Sequence, residues 1–440
     1  MLDIKFVREH PEEVQKNVEF RGGKISVDEV LKADTARRRL IQKTEKLRAD
    51  RNLASSAKPS EAEIKKLRKK REELKKVDEE LQAAERLFID KLARLPNMSS
   101  PQMPEGKGDA DHVELAVWTP GQGYLPKGKL GKGYSSAAYM PRIKGKHHLE
   151  LGKDLDIIDT EQSAITSGSR FAYLKGDAAL LQFALFDLFK GKLLAEGFEP
   201  MIVPVMVKER VLFGTSHFPE GRDQVYQVST ENVENHEQLF LVGSSEPSLF
   251  AYYMDKTLKE TDLPKKFFAY THCFRSEVGS WGKDVRGIKR VHQFDKLEID
   301  ALATPEGSRD TMEYLRGLNE WLMQQLQLPY RIINKCSHDC GYNATYLQYD
   351  LEGWLPAQEE FIELGSDTNA ADYQARRLNI HYTNAKGEKK LVHTINDTGI
   401  PMGRMIITIL DNYQNPDGSV TVPEVLRPYM GKDKITPHAP

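Results

Sequence analysis

The stretch THCFRSEVGSWGKDVRGIKRVHQFDKLEID, residues 271–300, consists of two short alternating segments separated by a glycine-rich basic loop. A strand sends successive side chains to opposite faces. In the first segment Arg275 and Glu277 therefore share one face; in the second, His292, Phe294, Lys296 and Glu298 do. Paired as an antiparallel hairpin, the two segments build one wall carrying an Arg, an aromatic ring, a Lys and two Glu. Gathering these charges on a buried wall is costly unless they pair with each other or meet a polar ligand. The loop between them carries Lys283, Arg286, Lys289 and Arg290 among Gly279, Gly282 and Gly287. It is too long for a minimal turn, and loops of this kind act as lids over anions.

The residue types suggest a site for a nucleoside triphosphate and an amino acid. A guanidinium at 275 clamps phosphate, an aromatic ring at 294 stacks on a flat base, and a carboxylate at 298 pairs with an ammonium. The competing reading is an exposed hairpin with cross-strand ion pairs. Further along, ELGSDTN (363–369) offers Glu363 and Ser366 as hard oxygen donors suited to Mg²⁺ on phosphate. Such a pair taken alone is far commoner without a metal. Arg404 opens an apolar helix after a glycine-containing turn, where the helix N-terminus helps it meet a polyphosphate.

The 440-residue chain has a formal charge of −2, so its average charge indicates no anionic partner. Three cysteines, Cys273, Cys336 and Cys340, do not make a disulfide framework and fit a reducing, cytoplasmic setting. No apolar run approaches the roughly 18 residues of a membrane span, and the N-terminus has no leader pattern.

From 27 to 95 the composition changes: Gly is absent and Pro occurs once, at Pro59. Leu67, Leu74, Leu81, Phe88 and Leu95 recur every seven residues, with Ile64, Val77 and Ala84 at the complementary position. The break around Pro59, with Ser60 and Glu63 as a capping box, predicts two long helices folded into an antiparallel coiled-coil hairpin. Residues 35–76 hold 16 Lys/Arg against 6 Asp/Glu. Most such runs are solvated helix surface. RRR at 37–39 and KKLRKKREELKK at 65–76 exceed that need and suggest an arm that tracks a nucleic-acid backbone through Arg37, Arg38, Arg39, Lys65, Lys66, Lys69 and Lys70. The Pro/Gly/Ser-rich stretch 95–112 reads as a linker. Beyond it, strands and helices interleave without a βαβ rhythm, and neither GxGxxG nor GxxxxGK[ST] occurs. That predicts an α+β domain on a largely antiparallel sheet.

FRSE…RGIKRVHQFDKLE, DTGIPMGRMIITILDNYQNPDGSVTVPEVLRPYM, YLKGDAALLQFALFDLFKGKLLAEGFEPMIVPVMV and DYQARRLNI, together with the basic hairpin, closely resemble the seryl-tRNA synthetase family of class II aminoacyl-tRNA synthetases, bacterial type, over about residues 1–430. The resemblance implies a tRNA-binding domain over 1–110, with the helical hairpin at about 27–95, and a class II catalytic domain over 111–440. It implies ATP, Mg²⁺ and L-serine as ligands, no zinc, tRNA(Ser) and selenocysteine tRNA as acceptors, and a homodimer with its interface in the run ending near Pro204. Arg275, Ser276 and Glu277 would contact ATP, Val291 and Phe294 its adenine, Glu363, Leu364, Gly365 and Ser366 its phosphates and Mg²⁺, and Arg404 the γ-phosphate. Serine would meet Ser244, Ser245, Glu246, Arg275, Glu298, Asn396 and Thr398. Arg275, Arg404 and Glu298 would carry catalysis.

Some pocket segments depart from the family's common form. Ser244-Ser245-Glu246 stands for Thr-Ala-Glu, ELGSDTN for Glu-x-Ser-Ser-Cys-Ser-Asn, NDTG (396–399) for NGSG, and Lys283 for Arg. Each exchange keeps the donor or acceptor the chemistry requires. Two other functions share the fold: a ligase loading an amino acid onto a carrier protein, and a non-catalytic binding module. The first tends to lack the long arm, and the second is expected to lose Arg275, Glu298 or Arg404. CSHDC (336–340) has poor spacing for a tetrahedral metal site, and structural roles suit His292 and His393. Trp281, at the loop tip, suits either the tRNA acceptor end or the closed loop itself.

Overall fold

The computed structural model describes residues 1–54, 61–126, 136–229, 237–278, 287–341 and 343–437, with side chains described for all of these except 50–54, 61–67 and 126. The chain divides into two compact units, Met1–Met98 and Ser99–Pro440.

The first unit is helical. Two short helices, Ile4–Glu9 and Pro11–Phe20, precede the long pair Val27–Ala54 and Glu61–Ala93. The heptad positions Leu74, Val77 and Phe88 are buried between the long helices, joined by Leu92 and Leu95. Arg48 pairs with Asp78 at 3.0 Å and Lys91 with Glu29 at 2.6 Å, which fixes the antiparallel register. The capping box expected at Ser60 and Glu63 lies outside the described residues, as do the side chains of Lys65 and Lys66.

The units meet at Met98/Ser99, ahead of the boundary expected near 110. Residues 99–112 do not run free. Ser100 N–H donates to the Tyr346 carbonyl at 2.9 Å, and Asn334 donates to the Gln102 carbonyl at 2.7 Å. Backbone polar groups need partners wherever water is excluded, so Pro/Gly/Ser composition marked irregular backbone here.

The second unit is built on a nine-stranded sheet. Its spatial order is Gly123–Pro126, Val113–Thr119, Tyr330–Asn334, Leu347–Leu355, Glu360–Asn369, His393–Pro401, Gln293–Ala303, Lys265–Phe274 and Glu199–Met201. Every neighbouring pair is antiparallel except the last. The quoted hairpin supplies two adjacent inner strands, with Cys273 opposite Phe294 and Ala269 opposite Glu298. One sheet face is covered by the helices Ser308–Gln325 and Met402–Tyr413, whose apolar residues are buried against it. The other face carries the charged wall and is closed at one end by the short helices Glu246–Ala251 and Tyr373–Leu378.

Two irregularities in the ladder decide which side chains share that wall. Leu364 is an extra residue between the pairs Leu351–Gly365 and Glu352–Glu363, and Gly399 is extra between Leu297–Ile400 and Glu298–Thr398. A bulge of one residue reverses the alternation beyond it. Gly399 is tightly enclosed, since a Cβ there would lie 2.9 Å from both Leu297 and Phe189 side-chain atoms.

Asp397 points to the helix-covered face, where Asn319 Nδ2 donates to its carboxylate at 2.7 Å and to the Thr398 carbonyl at 3.1 Å. Asn319→Ala removes both bonds and leaves a buried carboxyl unpaired. It is expected to cost about 1–3 kcal/mol, read as a lower midpoint with unchanged slope in urea unfolding.

Candidate active site

The wall deduced from alternation forms. Arg275 N–H donates to the His292 carbonyl at 2.9 Å, continuing the hairpin register one step past its strands. Its guanidinium stands 5.2 Å from the Phe294 ring centre, and its Nε donates to the Gly243 carbonyl at 3.2 Å. Arg275, Glu277, Val291, Phe294, Glu363 and Arg404 line one cavity of about 450 Å³. Six of the side chains named from sequence for ATP are thereby brought together. Arg290 and Lys289 border the same cavity, while the loop tip, with Gly279, Trp281, Gly282, Lys283 and Arg286, lies outside the described residues. Gly287 closes the return of the loop at φ +80°, and a Cβ there would lie 2.1 Å from His148 Nε2. Burial pushes that histidine down to about 3, so it packs against the loop uncharged.

Other expected ATP contacts fall elsewhere. Ser276 Oγ donates away from the cavity to the Asp223 carbonyl at 2.5 Å. Leu364 is buried, and the backbone of Gly365 lies against Asn319, leaving only main-chain groups of these two for a ligand. Glu363 and Ser366 are three residues apart, which would put them on opposite faces of a regular strand. The bulge at Leu364 corrects this: Glu363 sits opposite Glu352 and Ser366 opposite Asp350, on the same face. Asp350 was not singled out from sequence, yet it is buried beside Ser366 and bridged to it by Gln348, at 2.9 and 3.0 Å. Glu363 and Ser366 thus share a face as hard oxygen donors of the kind Mg²⁺ takes, while Asp350 beside them already has Lys335 Nζ at 3.3 Å. Arg404 donates to the Glu363 carbonyl at 3.0 Å and lies 3.4 Å from its carboxylate.

The residues expected to hold serine sit deeper on this face. Glu298 is opposite Thr398, and Asp300 is opposite Asn396. Lys296 and Glu298, both buried, form a close ion pair, with Lys296 Nζ also 3.4 Å from Thr398 Oγ1. Ser244 Oγ accepts from the Glu246 N–H at 3.2 Å. Glu246 accepts from Gln374 at 2.7 Å, and Gln374 in turn accepts from Thr394 at 2.6 Å. Burial, then the charge of Glu298, pushes the Glu246 carboxyl up to about 7. Lys296, Asp300 and Gln374 had no ligand role in the sequence reading. Lys296 was legible as part of the wall, whereas Gln374 carries no local signal. His217 also lines the cavity; burial, then Arg275 and Lys296, pushes it down to about 3, so it stays neutral.

His292 Nδ1 donates to the Arg275 carbonyl at 3.0 Å, and His393 meets Ser308 Oγ at 2.9 Å, both structural contacts. Cys340 donates to the Cys336 carbonyl at 3.2 Å, and Cys336 contacts the Gly108 carbonyl at 3.6 Å. Nearby, Asp109, His112 and Asp339 cluster, but Lys335 Nζ lies 2.5 Å from Asp339 and already supplies the positive charge. On the helical hairpin, Arg37 is turned inward, 3.1 Å from Asp34 and stacked 4.4 Å over Phe88, while Arg38, Arg39 and Lys69 are exposed. Lys70 is half-buried.

The raised Glu246 carboxyl has a consequence for stability. The unfolded chain releases this proton near the ordinary value of 4.5, and the folded chain holds it to about 7. Unfolding between those values releases a proton, so the free protein loses stability as pH rises across the window. Glu246→Gln is expected to flatten that loss in urea titrations at pH 5, 6 and 7; an unchanged slope would refute the assignment.

Known proteins of similar sequence and fold belong to one family. A family model described as seryl-tRNA synthetase N-terminal domain matches residues 1–99, and one described as tRNA synthetase class II core domain (G, H, P, S and T) matches 226–413. The serine–tRNA ligase of Dictyoglomus turgidum is 37% identical over 447 residues, covering 99% of this chain and 100% of the relative. Among solved structures, seryl-tRNA synthetase from Pyrococcus horikoshii complexed with ATP superposes with a TM-score of 0.84 at 34% identity, covering 100% of both chains. The cytoplasmic enzyme of Naegleria fowleri in complex with AMP gives 0.80 at 28% identity, covering 100% of this chain and 99% of that one.

Proposed function

The chain belongs to the seryl-tRNA synthetase family of class II aminoacyl-tRNA synthetases, and from its site we propose how it activates serine with ATP and charges tRNA. The observation that carries the assignment is the single cavity shared by Arg275, Phe294, Glu363 and Arg404, with Glu298 and Thr398 behind it on the same sheet face. ATP lies with its adenine on Phe294 beside Val291 and Glu277. Arg275 takes the α-phosphate and Arg404 the γ-phosphate. The serine ammonium and hydroxyl are held among Ser244, Glu246, Glu298, Asn396 and Thr398. A serine carboxylate oxygen forms a bond to the α-phosphorus, and the bond to pyrophosphate breaks. The ribose hydroxyl of the tRNA end then displaces adenylate and takes the seryl group.

No side chain serves as nucleophile. Positioning and fixed positive charge lower the barrier. With His217 neutral and Lys296 ion-paired, the cations lining the cavity are Arg275 and Arg404, with Lys289 and Arg290 at its border. Magnesium, held by Glu363 and Ser366 with Asp350 nearby, would neutralise charge on the triphosphate.

The acceptors are tRNA(Ser) and selenocysteine tRNA, gripped by the exposed cations of the helical hairpin. The enzyme works as a homodimer in the cytoplasm. Helix Asp177–Ala195 is apolar all round yet exposes Leu180, Phe183 and Leu194, and Ile202 beside the edge strand is fully exposed. A helix of that pattern is one buried on all sides. None of the three cysteines is in a disulfide, which suits a reducing compartment. No described helix is long and apolar enough to cross a membrane.

Amino-acid-dependent pyrophosphate exchange across the twenty amino acids tests the assignment. Serine is expected to support exchange alone, and Arg275→Ala to lower it by about 10²–10³-fold. Equal exchange with alanine or threonine would overturn the serine assignment. For the arm, the triple variant Arg38→Glu, Arg39→Glu, Lys69→Glu is expected to keep exchange intact while tRNA charging falls at least about ten-fold. The salt dependence of tRNA binding should shrink by about one in slope per contact removed. An unchanged slope would place the tRNA elsewhere.

A further inference from the structure

Asp300 is an acidic group on the pocket face that serine activation leaves without a role. It follows Glu298 by two residues on one strand and so shares its face, opposite Asn396 on one side and Phe267 on the other. It is fully buried, at the level where the wall turns from polar Glu298 to apolar Leu302. Among the described residues neither of its carboxylate oxygens has a hydrogen-bond partner, and the same holds for the hydroxyl of Ser245, also fully buried. Its neighbours are provided for: Glu298 has Lys296, and Glu246 has Gln374. The strongest charges acting on Asp300 are those of Glu298 and Glu246, which are of its own sign and, after burial itself, hold its carboxyl well above the usual range. A buried polar group without a partner costs free energy that a suitable ligand recovers.

Serine brings one ammonium and one hydroxyl to this face. Burial and the neighbouring Glu298 and Glu246 favour the uncharged form of Asp300 in the free protein, and serine brings no second cation that would let it ionise. A substrate of serine's size with an ammonium in place of the hydroxyl would bring that cation. It would also bring three donors where serine has one, against the free oxygens of Asp300 and Ser245.

We propose that this pocket also activates L-2,3-diaminopropionate, the amino isostere of serine, and that Asp300 is the residue that admits it. The inference rests on the placement of the amino-acid site proposed above. The reaction is unchanged in its balance: a substrate carboxylate oxygen bonds to the α-phosphorus, pyrophosphate leaves, and the β-ammonium keeps its protons. Sites that hydrogen-bond a substrate's polar group discriminate strongly against analogues that leave their own buried groups unpaired. On that logic Asp300 favours the second cation over the hydroxyl, whereas Glu298 and Thr398 serve either.

The test is pyrophosphate exchange by the full-length protein with L-serine, L-2,3-diaminopropionate and L-alanine. Diaminopropionate is expected to support saturable exchange with kcat/KM within about ten-fold of serine's, and to compete with serine when both are present. Asp300→Asn, close in shape, should lower kcat/KM for diaminopropionate by at least about ten-fold and for serine by less than about three-fold. Serine exchange without either exchange or competition by diaminopropionate would overturn the inference while leaving the serine site standing. Equal loss of both substrates in the variant would make Asp300 structural and would also overturn it. Competition on the unaltered protein gives an answer even where the variant fails to fold. Absence of serine exchange in the wild-type protein would refute the placement of the site itself.

Discussion

Strand parity is the constraint on which this site depends. Side chains alternate along a strand, so a ladder without irregularities gathers only residues at even separations. Glu363 and Ser366 are an odd distance apart, yet they face the same way because Leu364 is an inserted residue. The same device at Gly399 brings Thr398 opposite Glu298. Bulges placed beside a site re-aim side chains in this way, at the cost of local ladder hydrogen bonds. Two such insertions, on adjacent strands, gather the phosphate-side and amino-acid-side groups onto one wall.

That wall is then charged in layers. The outer layer holds Arg275, Arg404 and Glu363 around an open cavity. The inner layer holds Lys296, Glu298, Glu246 and Asp300, all nearly inaccessible to water. Removing ions from water is unfavourable unless geometry compensates, and the compensation here is uneven. Lys296 and Glu298 neutralise each other, Gln374, itself held by Thr394, donates to Glu246, and among the described residues nothing equivalent serves Asp300. The histidines nearby are kept neutral by burial, so they add no charge that would compete with phosphate or ammonium. The wall is thus acidic in its inner layer and cationic around the open cavity, the order the proposed ammonium and phosphate sites require.

Much of this was legible in the sequence because period-two alternation and heptads are local signals. Arg275, Phe294, Lys296 and Glu298 could be placed on one face from spacing alone, and Leu74, Val77 and Phe88 from the seven-residue repeat. The antiparallel α+β class followed from the absence of a βαβ rhythm. What spacing could not show was anything that depends on pairing between distant strands. The bulges are invisible until Glu352 is set against Glu363 and Leu297 against Ile400. Gln374 reaches Glu246 from 128 positions away, and no local pattern announces it. Charge density on the hairpin was legible too, but not its direction: Arg37 belongs to the RRR run and yet points inward to Asp34 and Phe88. Composition located the division, which falls within 95–112 at Met98/Ser99, but not the path of 99–112, which is bonded to the second unit.

The family departures are best understood on the two faces of the sheet separately. Thr398 keeps a hydroxyl on the wall and, paired with Glu298, remains available to a ligand. Asp397, its neighbour in sequence, is sent to the opposite face by alternation and meets Asn319 under helix Ser308–Gln325. Its carboxylate therefore does not reach the serine pocket, although it stands within the NDTG segment. Ser245 is the reverse case, a hydroxyl added on the ligand side and, like Asp300 on the same side, without a hydrogen-bond partner among the described residues. A polar group on the helix side can be explained by the partner that holds it, whereas one left open on the ligand side calls for what binds there. On that criterion the carboxylate at 397 is a structural exchange, and Ser245 with Asp300 is where the proposed selectivity would reside.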